Sequence, residues 1–288
     1  MSARRVLITG GSGRLGPFVV DAVAQGNTVH VLDLAPPPRE VAHTLGDVTD
    51  LATVRRAMQQ QDAVIHLAAI DIGTPAEPEE YFRVNVMGTW NVLQAAHEAG
   101  VRKVVLASSI SASGVGEIRP AFPPRYLPID EAHACHPTHA YGVSKLVGEQ
   151  LARSFVDRGG IAVICLRPTA VMFPHTRPRF VSRAADPDHP WLAAWVTAAD
   201  CARAFVLALD YQQADFDVFF ITADDCASPV PTLERLARLF AHGPLTARDP
   251  GLYARLPQAT CVDPARAREH LGWQATTAWS ATEGAPRA

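Results

Sequence analysis

The stretch TGGSGRLG, residues 9–16, decides the fold. It follows the apolar run Arg5–Thr9, a predicted buried strand, and it precedes Pro17–Gln25, an apolar segment with the pattern of a helix. Three glycines spaced in this way permit a tight turn, close approach of a ligand's pyrophosphate to the backbone, and close packing of the helix on the strand. The helix N-terminus then favours an anion. The predicted contacts of this phosphate cradle are Gly10, Gly13, Arg14 and Leu15.

The second predicted strand, Thr28–Asp33, ends in an acid. A carboxylate at this position accepts hydrogen bonds from the hydroxyl groups of an adenosine ribose, and it repels a 2′-phosphate. Arg14 argues the other way, because a cation in the turn is able to hold such a phosphate. Since Asp33 occupies the ribose position, we give it more weight and predict NAD as the cofactor rather than NADP.

Short apolar runs alternate with helical patterns along the chain, which is typical of βαβ units around a parallel sheet. We therefore predict an α/β fold, a Rossmann-type doubly wound parallel sheet with a small C-terminal substrate lobe. Residues 1–167, with about 195–222, form the predicted dinucleotide-binding domain, and about 168–194 with 223–288 form the lobe. Single helices are predicted over Pro78–Gly100 and His139–Asp157, and Asp50 and Thr197 are predicted to cap helices.

The composition of the 288 residues excludes several classes of protein. The net charge of −3 gives no sign of a nucleic-acid partner, and no apolar run is long enough to span a membrane. The five cysteines are scattered and form no CxxC pair, so we expect neither a disulfide framework nor a metal site. The N-terminus has no signal-peptide pattern. We therefore expect a cytoplasmic protein.

Tyr141 and Lys145 lie four residues apart, on one face of a predicted helix. A phenol with its ordinary pKa near 10 is a poor base at neutral pH, but a nearby ammonium lowers that pKa. The pair is then able to act as acid or base on a hydroxyl or carbonyl group. Ser109 ends a strand between the turn and this helix, and Ser108 and Ser111 are the alternatives to it. A serine hydroxyl there would align the substrate oxygen with Tyr141.

Together these features resemble the short-chain dehydrogenase/reductase superfamily, and more narrowly its extended branch, the NAD-dependent epimerase/dehydratase family. The resemblance covers nearly the whole chain, with the motifs in the family's order. They are TGGSGRLG (9–16), GDVTD (46–50), HLAA (66–69), NVMGT (85–89), PIDE (128–131), YGVSK (141–145), LRPT (166–169), WVTAAD (195–200) and the terminal segment 263–273. WVTAAD departs from the family's pattern HVxDVA, because an alanine stands where the pattern has an acidic residue or a valine.

The resemblance implies a role for each matching position. The implied catalytic residues are Ser109, Tyr141 and Lys145. Besides the turn, Asp33, Tyr141 and Lys145, the implied cofactor contacts are Asp47, Val48, Leu67, Ala68, Ala69, Asn85 and Pro168. The implied substrate contacts are Ile70, Ser109, Ser111, Thr169, Arg177 and Arg179. The sequence leaves open whether the two arginines pair with a substrate carboxylate or are solvated loop residues.

The resemblance also limits the reaction. Dehydratases of the family carry an Asp-Glu pair after the catalytic serine, where this chain has Ile110 and Ser111. We expect a dehydrogenase acting on a sugar, a sugar acid or a similar hydroxy compound, as in the uronate-dehydrogenase-like branch. A nucleotide-sugar 4-epimerase with tightly bound NAD is the alternative, and a non-catalytic NAD-binding sensor is less favoured. By resemblance the chain is a homodimer that packs its two long helices against those of a partner.

Overall fold

The computed structural model describes residues 3–115, 122–186, 189–240 and 245–281. Its centre is a seven-stranded parallel sheet in the order β3-β2-β1-β4-β5-β6-β9, beside a two-stranded sheet of β7 and β8. The strands are β1 (Arg5–Thr9), β2 (Thr28–Asp33), β3 (Ala42–Leu45), β4 (Ala63–His66), β5 (Lys103–Ala107), β6 (Ala162–Pro168), β7 (Ala170–Met172), β8 (Trp195–Thr197) and β9 (Phe216–Ile221).

Helices connect these strands and cover both faces of the sheet. They are α1 (Gly16–Val23), α2 (Leu51–Met58), α3 (Pro78–Tyr81), α4 (Met87–Glu98), α5 (Ala140–Asp157), α6 (Arg177–Ala185), α7 (Ala198–Asp210), α8 (Thr232–Leu239), α9 (Pro250–Arg255) and α10 (Ala265–Leu271). A π-helical turn, Phe82–Val86, joins α3 to α4, and 3₁₀ turns lie at Ile110–Ser113, Pro174–Thr176 and Trp279–Ala281. None of the helices in the described residues is long and apolar enough to cross a membrane.

The strand order reverses between β1 and β4, which is where a doubly wound sheet opens a crevice at its carboxyl edge. On one face, α1 and α7 pack on sheet side chains such as Ile8, and Phe205 of α7 belongs to this apolar cluster. On the other face, α2, α4 and α5 cover Leu7 and Val104, and Phe155 of α5 belongs to this second cluster. The predicted α/β, doubly wound fold is confirmed.

Helix caps follow the sequence expectations. The Asp50 carboxylate accepts a hydrogen bond from the backbone of Ala52, and Thr197 accepts one from Asp200. The apolar run Val101–Ser108 predicts a strand, and only its part Lys103–Ala107 pairs in the sheet. The sequence did not predict β3, because this edge strand has four residues that are mostly exposed and therefore shows no apolar pattern.

The predicted single helix over Pro78–Gly100 is wrong in one respect. The π-helical turn at Phe82–Val86 separates α3 from α4. It turns the buried side chain of Asn85 toward the backbone of Ile70. Such wide turns are rare and occur often at functional sites.

The C-terminal segments pack around the loop that leads to α5. Leu127 pairs with Ala247, and Ile129 pairs with Val262, in isolated parallel bridges. A separate apolar cluster that includes Leu236, Phe240 and Tyr253 fills this part of the molecule. The division into two domains stays a prediction. Parts of it, residues 1–2, 116–121, 187–188, 241–244 and 282–288, lie outside the described residues.

Candidate active site

The glycine-rich turn has a geometry that only glycine fits at two positions. Gly10 has a φ of +74°, and a Cβ there would lie 2.5 Å from the backbone nitrogen of Ala68. A Cβ on Gly16 would lie 2.2 Å from the carbonyl oxygen of Gly11. At Gly13 a Cβ would meet just one atom within 4 Å, at 3.2 Å. The turn therefore presents an accessible stretch of backbone at the start of α1, which suits a phosphate group.

Asp33 lies at the end of β2, beside the turn. Its Oδ2 accepts a hydrogen bond from the backbone of Ser12 at 2.9 Å, and its Oδ1 accepts one from Ala35 at 3.4 Å. A carboxylate has about four acceptor positions, so acceptor capacity remains for ribose hydroxyl groups. Together with the exposed turn, this donor and acceptor set fits a dinucleotide.

Arg14 points across the site from the turn. It forms an ion pair with Asp71 and not with Asp33, and its guanidinium carbon lies 5.5 Å from the ring centroid of Phe173. The Phe173 ring also contacts Phe18, with centroids 6.1 Å apart. Arg14 thus links the turn to the segment that follows β7.

The segment GDVTD, residues 46–50, is fixed by α4. Asn91 donates to the carbonyl oxygens of Val48 and Thr49, both at 3.0 Å. The Asp47 carboxylate accepts from the backbone of Thr49 at 2.9 Å. Asp47 and Val48, two predicted cofactor contacts, are therefore held next to the edge of the sheet that carries Asp33, since β3 lies beside β2.

Asn85 holds the segment that leaves β4. Its Oδ1 accepts from the backbone nitrogen of Ile70 at 2.7 Å, and its Nδ2 donates to the Ile70 carbonyl oxygen at 3.1 Å. The same Nδ2 donates to the Ser144 hydroxyl on α5 at 3.0 Å. The predicted contacts in this half-buried segment are Leu67, Ala68, Ala69 and Ile70. Asn85 thus fixes them relative to the helix of Tyr141.

The three residues predicted to be catalytic lie together at the carboxyl edge of the sheet. The Ser109 side chain is near enough to the Tyr141 phenol to lower its pKa, and the Ser109 hydroxyl accepts from the backbone of Ser111 at 3.1 Å. Lys145 donates to the carbonyl oxygen of Ala107 at 3.0 Å, and its Nζ lies 5.7 Å from the ring centroid of Tyr141. Ser108 points elsewhere, because its hydroxyl donates to Glu149.

The expectation that Lys145 lowers the pKa of Tyr141 is wrong for this structure. Burial, and next the Asp71 carboxylate, raise the pKa of the phenol above its usual range, while the hydrogen bond with Ser109 opposes the rise. The ammonium lies beside the ring and is bonded to a backbone carbonyl. Burial in turn lowers the pKa of Lys145 to about 8. Tyr141 is therefore neutral here and is able to donate a proton.

The predicted substrate contacts are less uniform. Ser111 and Thr169 are buried, and the Thr169 hydroxyl donates to Thr222 at 3.2 Å. Arg177 and Arg179 lie on α6, and neither has an ion-pair partner within the part of the chain that the structure describes. Pro168 is the last residue of β6, next to Thr169. The structure thus leaves the two arginines available to an anion.

Three functional candidates were missed from the sequence. Asp71 pairs with Arg14 and acts on the pKa of both Tyr141 and Lys145. Glu149 and Arg167 form a buried ion pair close to Ser108. The spacing of Glu149, four residues after Lys145, is a signal that the helix periodicity offered. Asp71 gave no such signal, because the loop after β4 has no periodic pattern.

Comparisons with known proteins add to this geometry. A family model described as the NAD dependent epimerase/dehydratase family matches residues 6–187. The NAD-dependent glucose-6-phosphate dehydrogenase of Haloferax volcanii is 32% identical over 225 residues, which are 74% of this chain and 81% of that protein. The uronate dehydrogenase of Pseudomonas syringae pv. tomato is 28% identical over 230 residues, covering 77% of this chain and 75% of its own.

A solved structure is similar over almost the full length. The UDP-glucose 4-epimerase from Brucella ovis, in complex with NAD, superposes with a TM-score of 0.73 at 26% identity. The match covers 95% of this chain and 94% of that one.

Proposed function

Because the chain belongs to the NAD dependent epimerase/dehydratase family, we propose that it is an oxidoreductase. It transfers hydride between NAD and a carbinol carbon of a sugar, a sugar acid or a similar hydroxy compound. The family membership confirms the resemblance drawn from the motifs, and with it an enzyme whose family uses NAD. The observation that carries the proposal is the convergence of Ser109, Tyr141 and Lys145 at one edge of the sheet.

In the proposed mechanism, Tyr141 exchanges a proton with the substrate oxygen. The Ser109 hydroxyl, which lies near the phenol, aligns that oxygen. When the neutral phenol donates its proton to a carbonyl oxygen, the Lys145 ammonium stabilises the phenolate that is left, and in the reverse direction this phenolate accepts the proton of the alcohol. Bound NAD supplies the nicotinamide carbon that takes up or returns the hydride. Acid–base help of this kind contributes about 10²–10⁴-fold to the rate.

We assign the cofactor contacts residue by residue. The turn and Arg14 hold the pyrophosphate, and Asp33 accepts from the adenosine ribose. Asp47 and Val48 line the adenine side. The remaining contacts, toward the nicotinamide, are Leu67, Ala68, Ala69, Asn85, Tyr141, Lys145 and Pro168. The Asp33 carboxylate favours NAD over NADP, and the ion pair of Arg14 with Asp71 directs that cation away from a 2′-phosphate.

For the substrate, we propose an anionic or neutral sugar that lies between Ser109 and α6. Ile70, Ser111 and Thr169 form the proposed wall of this site, and Arg177 or Arg179 holds an anionic group, bidentately for a carboxylate. Two dehydrogenase relatives support this proposal, since their names contain an anionic sugar, a sugar phosphate in one and a uronate in the other.

The second candidate is a sugar 4-epimerase. The similarity to the UDP-glucose 4-epimerase over almost the whole chain favours it. An epimerase keeps its NAD and produces no net NADH, so the two candidates differ in a directly measurable way. Ile110 and Ser111 lack the carboxylates of a dehydratase, and dehydration is not proposed.

The proposed assembly is a homodimer. Phe82, in the turn between α3 and α4, is 41% exposed, and Met87, the first residue of α4, is 51% exposed. These apolar side chains support a contact through the long helices. Light scattering on the purified protein tests this: a monomer at micromolar concentration contradicts it. The cytoplasmic location stays a prediction.

The function is tested by a cofactor-reduction screen. The purified protein is incubated with NAD or NADP and with free sugars, sugar phosphates, uronic acids and nucleotide sugars. We expect NADH absorbance with a free or phosphorylated sugar or a uronate, and slower reduction of NADP. Conversion of a nucleotide sugar without net NADH supports the epimerase instead. No turnover of any of these substrates contradicts both.

A further inference from the structure

A buried ion pair lies one helical turn from Lys145 and takes no part in the proposed proton transfer. Glu149 on α5 and Arg167 on β6 are 3% and 4% exposed. The guanidinium donates from Nε to Oε1 at 2.8 Å and from Nη2 to Oε2 at 2.6 Å. This two-point geometry is among the strongest that charged side chains form.

The same carboxylate reaches the strand end that carries Ser109. The Ser108 hydroxyl donates to Glu149 Oε1 at 2.5 Å, and one turn earlier Lys145 donates to the Ala107 carbonyl oxygen at 3.0 Å. Two successive turns of α5 are thus tied to the two residues that precede Ser109. The relative position of the phenol, the ammonium and the serine depends on these two ties.

Two buried charges are an energetically unfavourable means of fixing α5 on the sheet. Burial of two charges is often no better for stability than apolar side chains of similar volume. Moreover, Arg167 Nη1 is buried and has no hydrogen-bond partner among the described residues, and an unsatisfied buried donor destabilises the folded state. Its Nη2 has Cys135 Sγ as a further contact at 3.4 Å. A purely structural role would be better served by leucine or methionine.

We propose that Glu149 is a positioning residue for the Lys145 ammonium and, through Ser108, for the strand end that carries the proposed catalytic serine. Arg167 holds the carboxylate in the required orientation. The proposal rests on the function proposed above, in which the ammonium supports a charged Tyr141. Glu149 is then the third functional residue on α5, after Tyr141 and Lys145. Unlike those two, it touches neither substrate nor cofactor.

The charged and titratable groups that face Lys145 come from several elements. Burial lowers the pKa of Lys145 to about 8, and the carboxylates of Asp71 and Glu149 limit the fall. His66, at the end of β4, is neutral because burial lowers its pKa to about 3. The phenol of Tyr141 is neutral because burial raises its pKa. Glu149 therefore supplies part of the negative potential that keeps Lys145 protonated near neutral pH.

The chain has two lysines, Lys103 and Lys145, which makes a direct test possible. In protein labelled with ¹³C at the lysine Cε, NMR titration follows each ammonium separately and needs no substrate. We expect Glu149→Gln to lower the pKa of Lys145 by about one unit. The pKa of Lys103 is not expected to change, because its Nζ bonds to Tyr211 at the opposite end of β5.

Two further variants separate the charge from the fold. In Glu149→Gln with Arg167→Met, no unpaired charge stays buried, so stability returns toward that of the wild type while the pKa of Lys145 stays lowered. Glu98→Gln is the matched control, because Glu98 is bound by both Nε and Nη2 of Arg55 in the same way but on the surface. It leaves the titration of Lys145 and the activity unchanged.

Ser108→Ala tests the tie to the strand end. It keeps both buried charges, so the pKa of Lys145 is retained, while kcat falls by at least about tenfold with little change in KM. The proposal is overturned if Lys145 titrates as in the wild type in a folded Glu149→Gln or double variant. Should neither fold, a full kcat in Ser108→Ala overturns it. A Lys145 pKa that follows Glu149 in a protein without redox activity supports the inference and contradicts only the proposed function.

Discussion

The candidate site has two halves, a cofactor half around the glycine-rich turn and a catalytic half around Tyr141. Different kinds of contact fix the residues of each half. In the cofactor half, Asp33 binds the backbone of Ser12, 21 positions away. In the catalytic half, Ser108 binds Glu149 across 41 positions, and Asn85 binds Ser144 across 59. The glycine-rich turn and Asp33 are set by backbone conformation near the N-terminus, and the catalytic half by the packing of α5 on the sheet. Substitutions in the two halves should therefore fail in different ways.

The largest expected effect is in the catalytic half. Tyr141→Phe removes the hydroxyl that exchanges the proton, and we expect kcat to fall about 10²–10⁴-fold with NAD binding intact. Steady-state kinetics and NAD titration measure the two quantities. Tyr211→Phe is the control, since its hydroxyl bonds to Asp217, away from Ser109, and it should keep kcat. Full activity in Tyr141→Phe refutes the proposed proton route.

In the cofactor half, Gly10→Ala should abolish NAD binding and lower the free energy of unfolding by roughly 3 kcal/mol. The new Cβ would lie 2.5 Å from the Ala68 nitrogen, at a φ of +74°. Gly100→Ala is matched in φ, at +72°, but has open space around it. It should lose about 1–2 kcal/mol from strain alone and bind NAD normally. Equal effects of the two substitutions would show that the close approach to Ala68 is unimportant.

A third prediction concerns a buried carboxyl group and the pH dependence of stability that it causes. Burial raises the pKa of Glu131 from 4.5 to about 7, although its Oε1 accepts from the backbone of Phe220 at 2.7 Å. The folded state thus binds this proton more tightly than the unfolded chain. The stability it contributes is complete below about pH 4.5 and is lost as the pH rises through about 7.

Glu131→Gln removes that pH dependence and keeps an acceptor for Phe220. We expect it to stabilise the protein at pH 8 by roughly 3 kcal/mol, with little difference at pH 4.5. Denaturant unfolding at the two pH values measures this. An equal change at both values contradicts the raised pKa.

The smallest effect should be on the choice of cofactor. Asp33→Asn removes the charge that repels a 2′-phosphate, and the preference for NAD over NADP should fall about tenfold, as kcat/KM for the two cofactors shows. Asp47→Asn should leave the preference unchanged, because the proposed binding mode places Asp47 on the adenine side. An unaltered preference in Asp33→Asn means that another group selects the cofactor.

The backbone features around the glycine-rich turn were predicted correctly because their signals are local. The glycine spacing, the acid at the end of β2 and the Asp50 cap each depend on a few neighbouring residues. The placement of Tyr141 and Lys145 on one helix was also correct. These features follow from backbone geometry, which sequence spacing reflects directly.

The remainder depended on tertiary contacts that no spacing reveals. The pairing of Glu149 with Arg167 joins a helix to a strand, and the raised pKa of Tyr141 follows from burial and from Asp71. β3 was missed because its side chains are mostly exposed. In each case the deciding factor was the surroundings of the residue and not its neighbours along the chain.

The wide turn at Phe82–Val86 limits where residues can be inserted into this chain or deleted from it. Each residue of an α-helix advances the side-chain direction by about 100°. Deleting one residue from the turn would regularise the helix but swing Asn85 away from Ile70 and Ser144. Relatives that retain the hydrogen bonds of Asn85 to Ile70 and Ser144 should tolerate insertions in the loop before Pro78. They should tolerate none between Pro78 and Thr89.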